Sequence, residues 1–330
     1  MSKKDFVPTI KDVAQEAGVA IGTVSKVING LPVGESYRIR VEEAIKKLDY
    51  RVNAYARGMR SHSTHTIQVV FPNLVNSFYA KLVNGIAKEL AQRNYKMMLC
   101  ITDGDLGLEQ DIVSMSTQQM VDGIICLSCN PNLQVPENIS LVSIDRYLGA
   151  KFPWVSSDNF SGGQLAAVKL IENGCKSLAF FRIGTTLESE DNKRQYGFMS
   201  ICEARGIPVT SNIVDNGTPY SVFDKFLQEH THGGKLDFDG IFCVTDFLAY
   251  RICNSFRVMG IRIPEDVQII SYDGLQYLGD MEFYCSTIVQ SVDKIAETCV
   301  RLMLGDNPGA PSPALVCLPV SYAYGGTTRS

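Results

Sequence analysis

Apolar positions recur at helical spacing through the first fifty residues and in short continuous runs thereafter. In TIKDVAQEAGVAIGTVSKVING (9–30), Ile10, Val13 and Ala14 share one helical face, as do Val24, Val27 and Ile28 further on. This spacing predicts two short helices with Gly18 at the turn, where a positive φ costs nothing. Thr9 caps the first helix with Asp12 three residues on, and Asn29-Gly30 supplies a left-handed stop to the second. Glu35 to Leu48 predicts a third, amphipathic helix, with Ile39, Val41, Ala44, Ile45 and Leu48 available to cover the first two. Two helices set at a steep angle by a Gly turn form a helix-turn-helix unit, whose second helix lies in the DNA major groove. The same spacing is compatible with a helical hairpin packed inside a larger domain.

From Ile67 the pattern changes. IQVVF (67–71), KMMLCI (96–101), GIICL (123–127), LVSI (141–144), SLAFFRI (177–183), GIFCV (240–244), VQIISY (267–272), STIV (286–289) and ALVCLPV (314–320) read as strands. Amphipathic helices alternate with them near 79–93, 108–119, 163–172, 191–205, 247–259 and 293–304. Continuous apolar strands between such helices predict parallel sheets covered on both faces. The series predicts an α/β body of two doubly wound lobes in tandem, dividing near 145–160, with the last segments crossing back to tie the lobes together. The polar, uncharged SHSTHT (61–66) reads as a linker. The domain plan is a small all-α helix-turn-helix head over 1–50, a hinge and linker over 51–66, and a bilobal body over 67–330. Ligands on such sheets bind at the carboxyl ends of the strands, which here means the cleft between lobes.

Charge sharpens this division. Residues 1–65 hold eleven Lys/Arg against seven Asp/Glu, and the remainder holds twenty against twenty-eight, so a head of +4 sits on a body of −8. A basic head on an acidic body fits a DNA-binding module joined to something else. No apolar run reaches the eighteen residues of a membrane span. MSKKDFVPT lacks an apolar signal core, so a cytoplasmic chain is expected. The ten cysteines sit mostly in apolar runs, as buried thiols do. Cys126 and Cys129 form a C-x-x-C without a second pair or a nearby His, so no metal is expected. DGDLGLEQD (103–111) lacks the fifth-position Asp/Asn of a calcium loop and the Gly after it. A G-x-S-x-G elbow, a P-loop and a strand-borne G-x-G-x-x-G are all missing, which argues against an enzyme and against a cofactor.

The run TIKDVA…AGV…TVS.V.NG followed by R…A…L.Y…NA.AR..R closely resembles the DNA-binding head and hinge of the LacI family of bacterial repressors. The resemblance continues through FPNLVNSFYAKLVNGI (71–86), VDGII (121–125), IDR (144–146), DN..GG..A (158–166), R..GF (194–198) and IPEDVQIISYDG (263–274). It implies a transcriptional regulator, a repressor, that binds a near-palindromic operator in double-stranded DNA as a homodimer. It also implies an effector-binding core like the periplasmic sugar-binding proteins, with a sugar or sugar derivative as effector.

Site candidates follow residue by residue. Ile21 and Gly22 stand at the family's specificity pair, where Ile21 can touch only apolar base features and Gly22 offers no side chain. The alternative for Ile21 is a packing residue, since base contact is one use of that helical face. Lys26 can donate to guanine as a point charge. Thr9, Thr23, Ser25, Asn29 and Tyr37 are candidates for phosphate contact, which fixes register. By resemblance, residues 53–60, with Asn53, Ala54 and Arg57, form a hinge helix when two chains pair on DNA, and Met59 replaces the leucine that wedges into the minor groove. Val52 departs from the common proline, and Gly58 costs the hinge helix about 0.8–1 kcal/mol against alanine. In the body, Arg194 and Asp273 are the leading effector candidates, since Arg and Asp at strand ends can hold vicinal hydroxyls. Asp246, Arg146, Asp103, Ser128 and Phe78 come second. A buried ion pair stabilising the cleft is the alternative for the charged members. Ser77 and Thr245 replace a usual proline and a usual asparagine.

Overall fold

A computed structural model describes residues 8–50, 63–117, 121–128, 130, 132–184, 189–215, 217–276, 282–305 and 315–329. The chain parts into two compact units between Thr64 and His65.

The first unit holds three helices, α1 (Ile10–Ala17), α2 (Ile21–Ile28) and α3 (Glu35–Lys47). Thr9 and Asp12 close the start of α1: the Asp12 carboxylate accepts from the Thr9 amide and from its hydroxyl, each at 2.7 Å. Gly18 ends α1 at φ 59°, and Gly30 follows α2 at φ 65°. The core is Val13, Ala14, Ala17, Val24, Val41 and Ala44, with Ile45 and Leu48 against it. Ile39 does not join that core and is 45% exposed. It lies two residues before Val41, about 200° around the helix from the packed face.

The second unit has two six-stranded sheets. The first lobe contains β1 (Thr66–Phe71), α4 (Ser77–Gln92), β2 (Lys96–Ile101), α5 (Leu106–Thr117), β3 (Gly123–Cys126), β4 (Leu141–Ile144) and β5 (Trp154–Ser157). The second contains α6 (Asn159–Glu172), β6 (Leu178–Ile183), α7 (Asn192–Arg205), β7 (Val209–Val214), α8 (Ser221–Glu229), the hairpin β8 (Thr231–His232) and β9 (Lys235–Leu236), β10 (Gly240–Cys243), α9 (Asp246–Met259), β11 (Gln268–Asp273) and β12 (Ser286–Val289). The chain then returns through α10 (Val292–Leu304) and β13 (Leu315–Leu318) and ends on β14 (Ser321–Ala323).

The strand orders are β13-β5-β4-β3-β1-β2 and β14-β12-β11-β10-β6-β7. Within these two sheets the strand pairings are parallel except β12 with β14. The lobes thus exchange chain three times: after Ser157, after Val289 and after Leu318. The expected crossing back is observed, since β13 pairs with β5 and Gly85 of α4 packs on Ala296 of α10. Each lobe has its own core, around Phe71, Leu82, Ile86 and Ile125 in the first and Phe180, Phe198, Phe242 and Tyr272 in the second.

Six elements escaped the apolar pattern, among them the two-residue hairpin strands β8 and β9. β5 is four residues long; β7 is a half-exposed edge strand carrying Thr210, Ser211 and Asn212; α8 buries only Phe223 and Leu227; β14 has three residues. None makes a continuous apolar run or a long amphipathic stripe.

Candidate functional site

In the first unit α2 buries Val24 and leaves Ile21, Gly22, Lys26 and Asn29 exposed. Ile21 is 39% exposed, so packing does not consume it. Nothing lies within 4 Å of a Cβ built on Gly22, so the backbone there is open to close approach. Gly22 and Lys26 are four residues apart and share a face. Thr23 and Ser25 are half-buried, and the Asn29 amide donates to the Ser25 carbonyl at 2.8 Å. Tyr37 is 48% exposed. Thr9 is exposed too, although its hydroxyl is engaged with Asp12. Arg40, not singled out from sequence, donates Nη2 to the Ala17 and Gly18 carbonyls at 2.5 and 2.7 Å and so clamps the turn between α1 and α2. Asn53, Ala54, Arg57 and Met59 lie outside the described residues.

In the second unit the polar residues gather where the chain passes between lobes. α7 delivers Arg194, which is 6% exposed. Its Nε donates to Asn159 at 2.8 Å, and its Nη1 donates to the Val244 carbonyl at 2.7 Å and pairs with Asp273 at 3.6 Å. The guanidinium carbon lies 3.8 Å from the centroid of the Tyr272 ring. Asp273 ends β11 at φ 116° and accepts from Gln290 at 2.8 Å, while the Gln290 oxygen accepts from Ser157 at 2.7 Å. Asn159 donates onward to Ser156 at 3.2 Å, whose hydroxyl donates to Asp145 at 2.7 Å. One network therefore runs from the end of β4 to the end of β11 through two of the three crossovers.

Asp246, at the start of α9, is 4% exposed. It accepts from the Ser271 hydroxyl, the Leu275 amide and, at 2.8 Å, the Thr287 hydroxyl. With both oxygens engaged, it braces the wall beside Asp273 and presents no free oxygen in this conformation. In the first lobe the Arg146 Nε donates to the Ser128 carbonyl at 2.9 Å. The Ser128 hydroxyl donates to Glu109 at 2.5 Å, and Glu109 also accepts from Thr102 at 3.2 Å. Asp103 is exposed on the turn after β2, and Phe78 is 5% exposed within the first lobe's core. The structure thus joins Arg194 to Asp273 and Arg146 to Ser128, and it sets Phe78 among packing residues.

Two family descriptions match the chain: "Bacterial regulatory proteins, lacI family" over residues 9–53 and "Periplasmic binding protein-like domain" over 167–328. The sucrose operon repressor of Lactococcus lactis subsp. lactis is 31% identical over 321 residues, covering 96% of this chain and 98% of that protein. The chain belongs to the LacI family. A ribose operon repressor of Halalkalibacterium halodurans is 30% identical, with 90% of this chain and 89% of that protein covered. The lac repressor dimer bound to operator and the anti-inducer ONPF matches with a TM-score of 0.79 at 19% identity, covering 98% and 100% of the two chains, a likeness of fold. A LacI family regulator from Enterococcus faecalis V583 with bound ribose matches with a TM-score of 0.65 at 25% identity, over 80% of this chain and 98% of that one. The chain is a DNA-binding transcription regulator, and family membership points away from an enzyme.

For a LacI family body, the residues that sequence reasoning missed are the connecting ones: Asp145, Asn159, Gln290 and Glu109. Asp145 carries a faint signal in IDR (144–146), and Asn159 in DN..GG..A. Glu109 and Gln290 carry none, because their roles come from tertiary contact.

The carboxyls of this wall share one electrostatic property. Burial pushes Asp273 up to about 7, against the opposing pull of Arg194. Burial likewise pushes Asp246 and Asp145 up to about 6. The folded value of Asp273 lies above its ordinary 3.8, so its contribution to stability is fully present below about pH 4 and is lost as pH rises through about 7. Between those limits this group should lower stability by up to about 1.4 kcal/mol per pH unit. Asp273→Asn should flatten the pH dependence of denaturant unfolding by that one proton's worth. An unchanged slope in the variant would contradict the assignment.

Proposed function

We propose that this LacI family regulator is a cytoplasmic repressor. It binds a near-palindromic operator as a homodimer, and a neutral sugar or sugar derivative held between the lobes of its body changes operator affinity. The observation that carries the effector reading is the buried Arg194–Asp273 pair on the crossover network, because a ligand that engages it acts where the lobes exchange chain. Relatives named as sucrose and ribose operon repressors, and a neighbour with bound ribose, support a sugar. The operator-bound lac repressor dimer supports the DNA and dimer readings. Among the described residues no helix is long and apolar enough to cross a membrane, and no group of three or more metal-ligating side chains occurs. The experiment is a thermal-shift screen of mono- and disaccharides, followed by DNA titration with each sugar that stabilises the protein.

On DNA, Ile21, Gly22 and Lys26 read bases, while Thr9, Thr23, Ser25, Asn29 and Tyr37 fix register on phosphates. Met59 is the minor-groove wedge, and Asn53, Ala54 and Arg57 are the hinge's other DNA-binding residues. Ser128, Arg146 and Asp103 line the first lobe's side of the effector cleft, and Asp246 braces the second. Lys26→Ala should relax discrimination at one base pair per half-site by about 1–3 kcal/mol. Competition binding against single-base operator variants measures this, and a uniform loss across all variants would make Lys26 a phosphate contact instead.

A further inference from the structure

The hydrogen bonds Ser157–Gln290 and Asp158–Leu318 join the lobes on the crossing chain itself. Another joins them away from it. Lys81, on the second turn of α4 in the first lobe, donates its Nζ to the Gly274 carbonyl of the second lobe at 3.4 Å, across 193 residues of sequence. Gly274 follows Asp273, the carboxyl that pairs with Arg194. The two residues turn at φ 116° and 80°. A side chain in that half of conformational space is strained, so an Asp there persists only where its surroundings hold it. The second lobe supplies part of the hold. The Gly274 amide donates to the Thr287 hydroxyl at 3.3 Å, the Leu275 amide donates to Asp246, and the Asp273 carboxyl accepts from Gln290 at 2.8 Å. The Gly274 carbonyl is held from the other side, by the first lobe. Burial pushes Asp246 up, and the hydrogen bonds from Ser271, Leu275 and Thr287 pull it back, as does the charge of Lys81.

We propose that Lys81 is a positioning residue of the switch: its ammonium grips the turn after Asp273 from the first lobe and favours the arrangement of the lobes in this structure. The inference rests on the body acting as a two-lobed switch. It needs no contact between Lys81 and either sugar or DNA. A hydrogen bond made in one arrangement of the lobes and broken in another biases the balance between them. Each ligand that prefers one arrangement then feels that bias, the operator included, although the head is a separate compact unit. The grip depends on a cationic donor at the end of a long stem, which arginine also provides and methionine does not.

The test uses full-length Lys81→Met, Lys81→Arg and Lys88→Met. Lys88 is exposed about two turns further along α4 and controls for the loss of one positive charge. Without sugar, amide hydrogen exchange in a peptide containing Gly274 and Leu275 should be faster in Lys81→Met than in wild type. Operator affinity at fixed salt should move by about two- to tenfold, the net worth of one hydrogen bond. Lys81→Arg should restore both readings, and Lys88→Met should change neither. Exchange at the wild-type rate in Lys81→Met would overturn the grip. Unmoved operator affinity in that variant, or an equal shift in Lys88→Met, would overturn its part in the switch. Both measurements are made without sugar, so a failure of the sugar reading shows separately, in the screen of the wild-type protein.

Discussion

Arg194→Ala is expected to abolish the response of operator binding to sugar while leaving operator affinity without sugar in place. The side chain holds Asn159, the Val244 carbonyl and Asp273 at once and stacks on Tyr272. Removing it leaves Asn159 and the Val244 carbonyl without their donor and the Asp273 carboxyl, among the described residues, with Gln290 as its side-chain partner, a loss of about 1–3 kcal/mol since the carboxyl can take up a proton near neutral pH. The body should therefore melt earlier. Arg194→Lys separates the two effects. Lysine keeps the charge and should recover part of the stability, but it lacks the planar fork that serves several acceptors together, so the sugar response stays lost. DNA titration with and without sugar, run below the melting transition of each variant, gives the answer. A lysine variant that responds like wild type would move the effector site away from Arg194.

The largest effect on stability is expected at Gly163 and Gly197. A Cβ on Gly163 would sit 2.0 Å from the Arg194 carbonyl oxygen, and one on Gly197 would sit 1.9 Å from the Phe160 carbonyl oxygen. Both obstacles are backbone, so α6 and α7 must separate to admit even a methyl. Those helices carry Asn159 and Arg194, so the same glycines that allow the close approach also set the distance across the site. Either alanine substitution should cost about 3 kcal/mol or more, above the usual overpacking range because no side chain can turn aside. Gly22→Ala is the control, since its methyl enters open space, and it should leave the body's melt unchanged. Calorimetry on the three variants compares them directly, and a Gly197→Ala body that melts like wild type would contradict the packing described.

The head was legible almost entirely from sequence, because its helices are short, Thr9 and Asp12 close the start of the first, and Gly18 and Gly30 follow the first two in the left-handed conformation that glycine adopts without strain. The body's lobes were legible wherever strands are apolar throughout, as in IQVVF and GIFCV. They were not legible at β7 and β14, whose residues are half-exposed at sheet edges. Arg194 and Asp273 stood out by chemistry and position. The partners that hold them did not: Gln290 lies 133 residues from Ser157, and no local pattern marks a side chain whose role is to span that separation. Ile39 shows the opposite error, an apolar residue counted into a helical stripe that it lies across from.

The central claim is that sugar and operator share one equilibrium through the body's crossovers. Its most direct measurement is a pair of titrations on the full-length protein. One follows an operator, selected by the protein from random palindromic DNA, with and without the sugar that raises the melting temperature most; the other follows that sugar with and without the operator. A coupled system shifts operator affinity by about 5–150-fold and shifts sugar affinity by the same factor. A sugar that binds the body while operator affinity stays unchanged would contradict the account.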